Sequence, residues 1–243
     1  MKASKISVIT PVFNNEKDVA TCIDSVIRQT YKNTEHIIID GNSTDNTLKI
    51  IKEKALNHSN IKFLSEPDNG IYDAMNKGIK MATGDYLFFM GSDDEFYNDT
   101  ILDTIKNELK DFDIIYGNVF FRHKQLVYGF EADLNKLKYN NIPHQGIFYK
   151  KTVFDKIGLY GTDFVVSEDY IFNIKCFKNN NLTKRYTNQI ITNFNDTSLS
   201  NNFRDGFMKY RLFHFDNLTF KEKLMKYYFY FRPDWFIPSK LFK

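Results

Sequence analysis

Two adjacent carboxylates, Asp93 and Asp94, are the side chains of this sequence best placed to do chemistry. They follow residues 86–90, a short apolar run that reads as a buried strand after the turn at Gly84. Open parallel sheets bind ligands at the carboxyl ends of their strands. Carboxylates grouped there suit a hard divalent cation that keeps phosphate oxygens in its shell. On these residues alone, an acidic turn that caps a helix near 100–110 remains an equal alternative.

The elements that would position these acids alternate regularly in the first half of the chain. Apolar patterns predict strands at 6–10, 36–39, 61–64 and 86–90, and helices at 17–29, 47–55 and 71–82. We expect Pro11 to close the first strand. This alternation with short loops predicts an α/β fold with a mostly parallel central sheet flanked by helices.

Beyond residue 111 the pattern is looser. Short strands are predicted at 113–116 and 119–121, with an antiparallel arrangement left open, and a further strand lies within 185–194. Residues 170–177 are predicted to be helical, and the chain reads as amphipathic helix from residue 207 onward.

The last 37 residues, 207–243, differ in composition from the rest of the chain. They carry eight Lys or Arg against three Asp or Glu, so their net charge is +5 while the remainder carries −2. Thirteen aromatic residues are interleaved with these bases. Such a segment suits an anionic membrane surface, and packing of the aromatics against the catalytic domain is the open alternative. No nucleic-acid-binding module is recognisable, so no nucleic acid partner is expected.

Several classes of protein are disfavoured by what the sequence lacks. The turn after the first strand, residues 10–15, has no glycine, so neither a dinucleotide-binding fingerprint nor a P-loop is present. Cys22 and Cys176 lie within apolar helical patterns and are expected to be reduced core residues. Without an 18-residue apolar run or a signal-peptide core, we expect a cytoplasmic protein with no spanning helix.

A set of ordered motifs makes a family recognisable. They are Val8–Asn14, Ile38–Thr47, Glu66–Gly78, Gly91–Asp94, His144–Gly146 and Ser167–Tyr170. Together they resemble family-2 inverting glycosyltransferases, and the form of the third motif is typical of a bacterial subgroup that assembles polysaccharides, O-antigens and capsules. The resemblance covers roughly residues 5–200. It implies a GT-A (nucleotide-diphospho-sugar transferase) domain over residues 1–206, with a nucleotide-sugar half at 1–98 and an acceptor half at 99–206. Residues 207–243 would form an appended helical tail.

The resemblance also implies which residues bind the donor. Phe13 would stack on the nucleobase, Asp40 would accept a hydrogen bond from a uracil-type N–H, and Gly70 would let the backbone approach the nucleotide. Asn76 would anchor that loop or contact the ribose, with helix capping or a supporting role equally open. A core residue at a strand end is the alternative for Phe13, and on the residues alone a turn or capping aspartate is the favoured interpretation of Asp40. The complete donor set is Thr10, Pro11, Phe13, Asp40, Gly70, Asn76 and Asp93.

Under the same resemblance, Asp93 binds Mg²⁺ or Mn²⁺, with Asp94 alongside, and the cation bridges the two donor phosphates. Many relatives carry an acid two places before the metal-binding aspartate, where this chain has Gly91. Either this chain binds the metal more weakly than those relatives, or Asp94 also coordinates it.

Asp169 is the implied catalytic base, because inversion needs a carboxylate on the face opposite the leaving group. Glu168 lies next to it, and on a helix the two side chains diverge by about 100°. A helix N-terminal acid that interacts with the dipole is the alternative for Asp169. His144, Gln145 and Glu168 are expected on the acceptor side, and a structural role for His144 stays open.

The sequence thus predicts an inverting glycosyltransferase that moves a sugar from a nucleotide donor, most simply a UDP-sugar, to a surface glycan or a polyprenyl-diphosphate-linked acceptor. It would work in the cytoplasm or peripherally on the inner face of the cytoplasmic membrane. Sugar nucleotidylyltransferases share this fold but carry a glycine-rich loop that residues 10–15 lack. A catalytically inactive scaffold of the same fold is the other alternative, although Asp93 and Asp169 are both present.

Overall fold

The computed structural model describes residues 3–197 and 211–231. In these ranges the strands are Ile6–Val12 (β1), Thr34–Asp40 (β2), Ile61–Ser65 (β3), Tyr86–Phe89 (β4), Glu95–Phe96 (β5), Ile114–Phe121 (β6), Leu126–Tyr128 (β7), Ile147–Lys150 (β8) and Lys184–Phe194 (β9). The helices are Val19–Ile27 (α1), Thr47–Asn57 (α2), Ile71–Met81 (α3), Ile101–Ile105 (α4), Thr152–Ile157 (α5), Glu168–Lys178 (α6) and Phe220–Phe231 (α7). Short 3-10 helices add Glu108–Lys110, Lys136–Lys138, His144–Gly146 and Arg211–His214.

All the described strands belong to one mixed sheet, in the order β3-β2-β1-β4-β8-β6-β9-β5, with β7 paired to β6. Strands β3, β2, β1 and β4 are parallel, as the alternating pattern predicts. Strand β8 runs antiparallel to β4 and β6, and β9 runs parallel to β6. The predicted α/β class with a central sheet flanked by helices is therefore confirmed, but the sheet is mixed and not mostly parallel as a whole.

Helices cover both faces of the sheet because successive side chains of a strand point to opposite faces. On one face Ile9, Leu87 and Phe89 pack with residues of α3, α5 and α6. On the other face Val8 and Phe88, from the same two strands, pack with residues of α1 and α4. These central strands are buried on both faces, which is why they read as continuous apolar runs.

Pro11 does not close the first strand, contrary to the sequence expectation. It lies within β1, opposite Ile39 of β2. The backbone of Ile9 faces β4, where it accepts a hydrogen bond from Met90 N, and Pro11 faces the same side two residues later. Since β4 ends at Phe89, the ladder on that side needs no N–H from Pro11.

The two short strands predicted at 113–116 and 119–121 are one continuous strand, β6. The pairing of β6 with its neighbour β9 shifts register between Tyr116 and Val119. Gly117 lies at this irregularity, and a Cβ there would be 2.7 Å from the carbonyl oxygen of Gln189. The close approach of the two backbones therefore needs a glycine, and the sequence pattern reads that glycine as a break.

Helical expectations differ mainly at the ends. Residues 17–29 contain the shorter α1, and residues 100–110 form α4 followed by a 3-10 turn. Cys22 and Cys176 are both buried and free, as expected. Among the helices of the described ranges, none combines the length and apolar composition needed to cross a bilayer.

The C-terminal segment packs on the main domain as far as it is described. Leu212 and Phe215 are buried, and Phe215 joins the core cluster of α3 and α6. Residues 207–210 and 232–243 of the predicted tail lie outside the described residues. The alternative that tail aromatics pack against the domain therefore holds for Phe215.

A buried carboxylate ties the amino-terminal ends of the parallel strands together. Glu35 of β2 accepts hydrogen bonds from Ser7 Oγ (2.6 Å), Thr83 N (2.7 Å), Lys5 Nζ (3.0 Å) and Lys62 Nζ (2.9 Å). Burial alone would raise the pKa of Glu35, but these donors hold it well below its usual range.

We predict that Glu35→Gln lowers the free energy of unfolding by about 2 kcal/mol at pH 7, because buried donors lose a charged acceptor. Because the pKa of Glu35 is lower in the folded than in the unfolded protein, the charged carboxylate stabilises the fold at full strength when the pH is above the ordinary carboxyl pKa. This stabilisation fades as the pH falls toward the pKa of Glu35 in the folded protein. The difference between wild type and variant should therefore shrink between pH 5 and pH 3 in urea unfolding. Glu53→Gln, an exposed position on α2, is the control, and a pH-independent difference would contradict the assignment.

Candidate active site

The predicted donor residues gather at the carboxyl edge of the parallel strands. Strands β1, β2 and β4 end at Val12, Asp40 and Phe89, and because they run parallel their following turns lie side by side. Phe13 and the pair Asp93 and Asp94 belong to two of these turns. The topology thus brings together side chains that are up to 81 positions apart in the sequence.

The Phe13 ring is open to solvent at this edge. Its side chain is 61% exposed, so it is not a core residue. A Cβ on Gly41 would lie 3.5 Å from the ring and 2.5 Å from Asp68 Oδ2, so Phe13 and Asp68 flank this glycine closely. An exposed aromatic face beside a tight backbone approach is a suitable platform for a flat ring.

Asp40 is fully buried, and its contacts close the turn after β2. Its carboxylate accepts hydrogen bonds from Ser65 Oγ (2.6 Å) and from Ser43 N (3.2 Å). These are the contacts of a turn aspartate, the alternative that the residues alone favoured. A contact between Asp40 and a nucleobase stays a prediction.

Thr10 and Pro11 are both enclosed by protein. The Thr10 hydroxyl lies 2.9 Å from His36 Nε2, inside the sheet layer. Burial lowers the pKa of His36 to about 3, so this imidazole is neutral. Direct donor contacts from Thr10 and Pro11 stay predictions, and with side chains enclosed they would have to come from backbone atoms.

Gly70 and Asn76 support the site from α3. Gly70 has φ +106°, a left-handed region that glycine adopts without strain, and it begins the helix. Asn76 bonds both ways with the backbone of Tyr160, donating to its carbonyl (2.9 Å) and accepting from its N–H (3.1 Å). Its amide therefore anchors the loop before α6, which leaves the predicted ribose contact without support.

Asp93 and Asp94 converge over Gly91. A Cβ on Gly91 would lie 2.5 Å from Asp94 Oδ2 and 3.1 Å from Asp93 Oδ1, so both carboxylates fill the space that a larger residue would need. In this chain the Asp94 carboxylate occupies the space where a side chain on residue 91 would begin. An acid at position 91 would therefore require Asp94 to point elsewhere.

Two residues that sequence reasoning missed hold the acidic turn. The Asn195 backbone N–H donates to Asp94 Oδ1 (2.7 Å), and its side-chain amide donates to Asp93 Oδ2 (2.9 Å). Arg122 donates to the carbonyl of Asp93 and to Glu95 Oε1 (3.2 Å). Both partners come from the second half of the chain, so no local pattern points to them.

The acid pair lies in an environment that opposes two full negative charges. Burial, and then the charge of Asp93, raise the pKa of Asp94 to about 7. Burial also raises the pKa of Asp93. Asp94 Oδ2 is buried and accepts no hydrogen bond within the described residues, although the Gln145 amide lies nearby. A cation would relieve this electrostatic strain.

The acid pair fits a divalent cation of the kind that the sequence predicts. No group of three or more His, Cys, Asp or Glu side chains in the described ranges could form an all-protein metal cage. Mg²⁺ bound with a diphosphate usually takes only one or two carboxylates from the protein. Two converging carboxylate oxygens, one of them the buried Asp94 Oδ2 that accepts no hydrogen bond in the described residues, match that smaller requirement.

Asp169, the predicted base, lies in the first turn of α6 with its carboxylate held on both oxygens. Tyr72 Oη donates to Oδ1 (3.1 Å), Asn141 Nδ2 donates to Oδ2 (3.1 Å), and His144 Nδ1 lies 3.2 Å from Oδ2. Burial and the neighbouring Asp169 raise the pKa of Tyr72 well above its usual value, so the phenol keeps its proton and donates. Contacts from two separate segments, helix α3 and residues 141–144, fix the orientation of this carboxylate.

Glu168 is turned away from this cluster. Its Oε1 accepts a hydrogen bond from Phe164 N (3.1 Å), and its Oε2 lies against Gly161. Burial raises the pKa of Glu168. The divergence expected from helix geometry is therefore observed: Asp169 points toward His144, whereas Glu168 holds the loop that precedes α6.

One short turn connects the two acidic centres. His144, the first residue of the 3-10 helix before β8, contacts Asp169, and the next residue, Gln145, has its amide near Asp94. The Gln145 backbone carbonyl accepts a hydrogen bond from Thr192 Oγ1 of β9 (3.0 Å), which fixes the turn. His144 and Gln145, two of the three predicted acceptor residues, therefore lie between the acid pair and the base, whereas Glu168 faces the loop before α6.

Comparison with known proteins gives a consistent result. The model of Glycosyl transferase family 2 matches residues 7–171. A PGL/p-HBAD biosynthesis glycosyltransferase from Mycobacterium tuberculosis is 37% identical over 211 residues, covering 84% of this chain and 82% of the relative. The uncharacterized glycosyltransferase YibD from Escherichia coli is 27% identical over 232 residues, covering 84% of this chain and 65% of the relative.

Solved structures share the fold at low sequence identity. Residues 1–349 of S. aureus TarS, in complex with UDP-GlcNAc, superpose with a TM-score of 0.73 at 19% identity, covering 95% of this chain and 74% of that one. This chain spans only 36% of a longer TarS structure. The mannosyltransferase PcManGT from Pyrobaculum calidifontis, with GDP-Man and Mn²⁺, gives 0.65 at 15% identity, covering 98% and 67%. With the family match across most of its length, the chain belongs to glycosyl transferase family 2 and is a glycosyltransferase of GT-A fold.

Proposed function

We propose that this glycosyltransferase moves a sugar with inversion from a nucleotide-diphosphate donor to a hydroxyl group, with Asp169 as the general base. The observation that carries the proposal is the Asp169 carboxylate, held by Tyr72, Asn141 and His144 and joined to the acid pair through one short turn. These partners hold the carboxylate in one orientation, and the turn that carries His144 and Gln145 brings it close to the acid pair that would hold the donor phosphates.

On the donor side, Asp93 is the proposed ligand of Mg²⁺ or Mn²⁺, with Asp94 supporting it. When bound, the cation neutralises charge on the departing nucleoside diphosphate. Asn195 orients the Asp93 carboxylate, and Arg122 fixes the turn through the Asp93 carbonyl. Phe13 offers its exposed ring to the nucleobase.

On the acceptor side, the Asp169 carboxylate takes the proton of the acceptor hydroxyl as its oxygen attacks the anomeric carbon. Attack occurs on the face opposite the leaving diphosphate, so the configuration inverts through an oxocarbenium-like transition state. Tyr72 and Asn141 donate hydrogen bonds that hold the carboxylate oxygens in place. His144 stands beside the same oxygen as Asn141, within reach of an acceptor hydroxyl.

A UDP-sugar is the proposed donor. Asp40 ends β2 next to Gly41, which lies close to the Phe13 ring, and a uracil N–H would have to displace one of the turn contacts of Asp40 to reach its buried carboxylate. A structural neighbour of this chain was solved with UDP-GlcNAc and another with GDP-Man, so both nucleotides suit this fold. The proposed acceptor is lipid-linked or belongs to a surface glycan.

The C-terminal segment is proposed to bring the enzyme to an anionic membrane surface on the cytoplasmic side. Phe220 is 78% exposed and Leu224 is 53% exposed, one turn apart on α7, with the exposed Lys221 and Lys223 beside them. Exposed apolar side chains between lysines suit a helix that lies at the lipid headgroups.

Asp169→Asn is predicted to reduce turnover about 10²- to 10⁴-fold while nucleotide binding is retained, because the amide cannot accept the proton. Glu168→Gln is the matched control, since its side chain faces the loop, and it should reduce turnover only a few-fold. Transfer is measured with purified enzyme, a UDP-sugar and a lipid-linked acceptor. Turnover of Asp169→Asn close to wild type would remove Asp169 from the mechanism. Binding without turnover in the wild type would favour the scaffold alternative.

Asp93→Ala is predicted to weaken Mn²⁺ binding in the presence of UDP by at least tenfold, because one of two protein carboxylates is lost. Asn195→Ala should weaken it by a smaller factor, since the Asp93 carboxylate loses its orienting donor. The electron paramagnetic resonance signal of free Mn²⁺ measures both, with Asp103→Asn as control, because the half-buried Asp103 pairs with Lys106 on α4. Unchanged Mn²⁺ affinity in Asp93→Ala would point to Asp94 as the main ligand.

Replacing Phe220 and Leu224 together by Ser is predicted to weaken binding to phosphatidylglycerol-containing vesicles by about tenfold or more, from the apolar area withdrawn from the bilayer. Cosedimentation against neutral phosphatidylcholine vesicles separates the electrostatic part. Leu56→Ser is the matched control, because Leu56 is 85% exposed on α2. Equal vesicle binding by the double variant and the control would place the anchor elsewhere.

A further inference from the structure

A buried ion pair joins the C-terminal helix to the acceptor side of the domain. Glu222 of α7 and Lys138 lie 3.3 Å apart, with side chains only 5% and 7% exposed. Tyr139 donates a hydrogen bond from its hydroxyl to the other carboxylate oxygen of Glu222. Neither the acid pair nor the Asp169 cluster includes these residues.

The position of Glu222 is fixed from its own side. Thr219 N donates to Glu222 Oε2 (2.6 Å), and Glu222 N donates to Thr219 Oγ1 (3.3 Å), which is a capping box at the start of α7. Burial raises the pKa of Glu222, but hydrogen bonds from Tyr139, Thr219 and Lys138 lower it to about 2. The carboxylate is therefore charged and held in one orientation at neutral pH.

The residues that Glu222 contacts lead directly to the base. Lys138 and Tyr139 precede Asn141 by three and two residues, and Asn141 donates to Asp169 Oδ2. Two hydrogen bonds from α6 hold the same segment: Tyr170 Oη donates to the Leu137 carbonyl (2.7 Å), and Asn173 Nδ2 donates to Asn141 Oδ1 (2.9 Å). Residues 136–144 are thus clamped between α6 on one side and α7 on the other.

We propose that Glu222 is a positioning residue for catalysis: through Lys138 and Tyr139 it holds residues 136–144 so that Asn141 and His144 orient the Asp169 carboxylate. The inference rests on the proposed role of Asp169 as base. It makes docking of the C-terminal helix a condition for a well-oriented active site. Binding of that helix to another surface would then be coupled to turnover.

Hydrogen–deuterium exchange tests the clamp independently of any activity. The amides of residues 137–140 donate hydrogen bonds to the carbonyls of Asp133, Asn135 and Lys136 and should exchange slowly in the wild type. Glu222→Gln and Tyr139→Phe should both speed exchange in peptides covering 136–144 and leave β1 and β4 unchanged. Tyr139→Phe removes a single hydroxyl and keeps the ion pair, so it remains folded if Glu222→Gln does not. Unchanged exchange in Tyr139→Phe, or in a folded Glu222→Gln, would overturn the clamp.

Kinetics tests the positioning role. Glu222→Gln should lower kcat on the order of tenfold and leave the KM for the donor unchanged, because the base is misplaced while the donor edge is untouched. The effect should be smaller in an Asn141→Ala background, since Glu222 acts in part through Asn141. Glu35→Gln is the control for general destabilisation. It loses a buried ion pair at the amino-terminal end of β2, away from the donor edge at the carboxyl end of that strand.

The two proposals fail in different ways. An equal loss of kcat in Glu35→Gln, or additive losses in the Glu222 and Asn141 double variant, would reduce Glu222 to a structural role even though the enzyme is active. Absence of transfer by the wild type with all nucleotide-sugar donors would instead contradict the proposed function. The exchange experiment would still decide whether Glu222 clamps residues 136–144.

Discussion

Two buried carboxylates, Asp94 and Asp169, are the constraint on which the rest of the site depends. A buried carboxylate needs hydrogen-bond donors or a cation, because its charge is poorly solvated inside a protein. Asp169 is satisfied by Tyr72, Asn141 and His144. Asp94 is satisfied on one oxygen only, by the Asn195 backbone. The contrast suits their proposed roles, since the base needs a fixed orientation and the acid pair needs a cation.

The fold satisfies this constraint by bringing distant segments to one edge. Parallel pairing of β1 with β2 and β4 places the turns after these strands side by side. The antiparallel β8 then positions the 3-10 turn that carries His144 and Gln145 between the two acidic centres. The C-terminal helix closes the arrangement from outside through Glu222. The sheet, the 3-10 turn and the C-terminal helix therefore all contribute to positioning the carboxylate oxygens of Asp94 and Asp169.

The sequence predicts the framework well because its signals are local. Apolar patterns predict the parallel half and place the acids at positions 93, 94 and 169 at element boundaries, and the family resemblance supplies their expected roles. Long-range partners leave no such signal: Asn195 meets Asp93 across 102 positions, and Glu222 meets Lys138 across 84. Local patterns also misread Pro11 and Gly117, because whether a strand tolerates either residue depends on its neighbours in the sheet.

Burial changes the interpretation of other predicted residues. Asn76 and Asp40 are polar residues near the donor edge, yet one anchors the Tyr160 backbone and the other closes a turn. Gly91 illustrates the opposite case: an apparent departure from the family pattern becomes understandable once Asp94 is seen to occupy the adjacent space.

The proposed donor site is best tested by calorimetric titration of the wild-type protein with UDP, GDP, CMP and dTDP, each with and without Mn²⁺. We expect UDP to bind, Mn²⁺ to strengthen its binding, and the other nucleotides to bind more weakly. Absence of binding by all four nucleotides would contradict the donor site at the carboxyl edge of the sheet and make an inactive scaffold the better explanation.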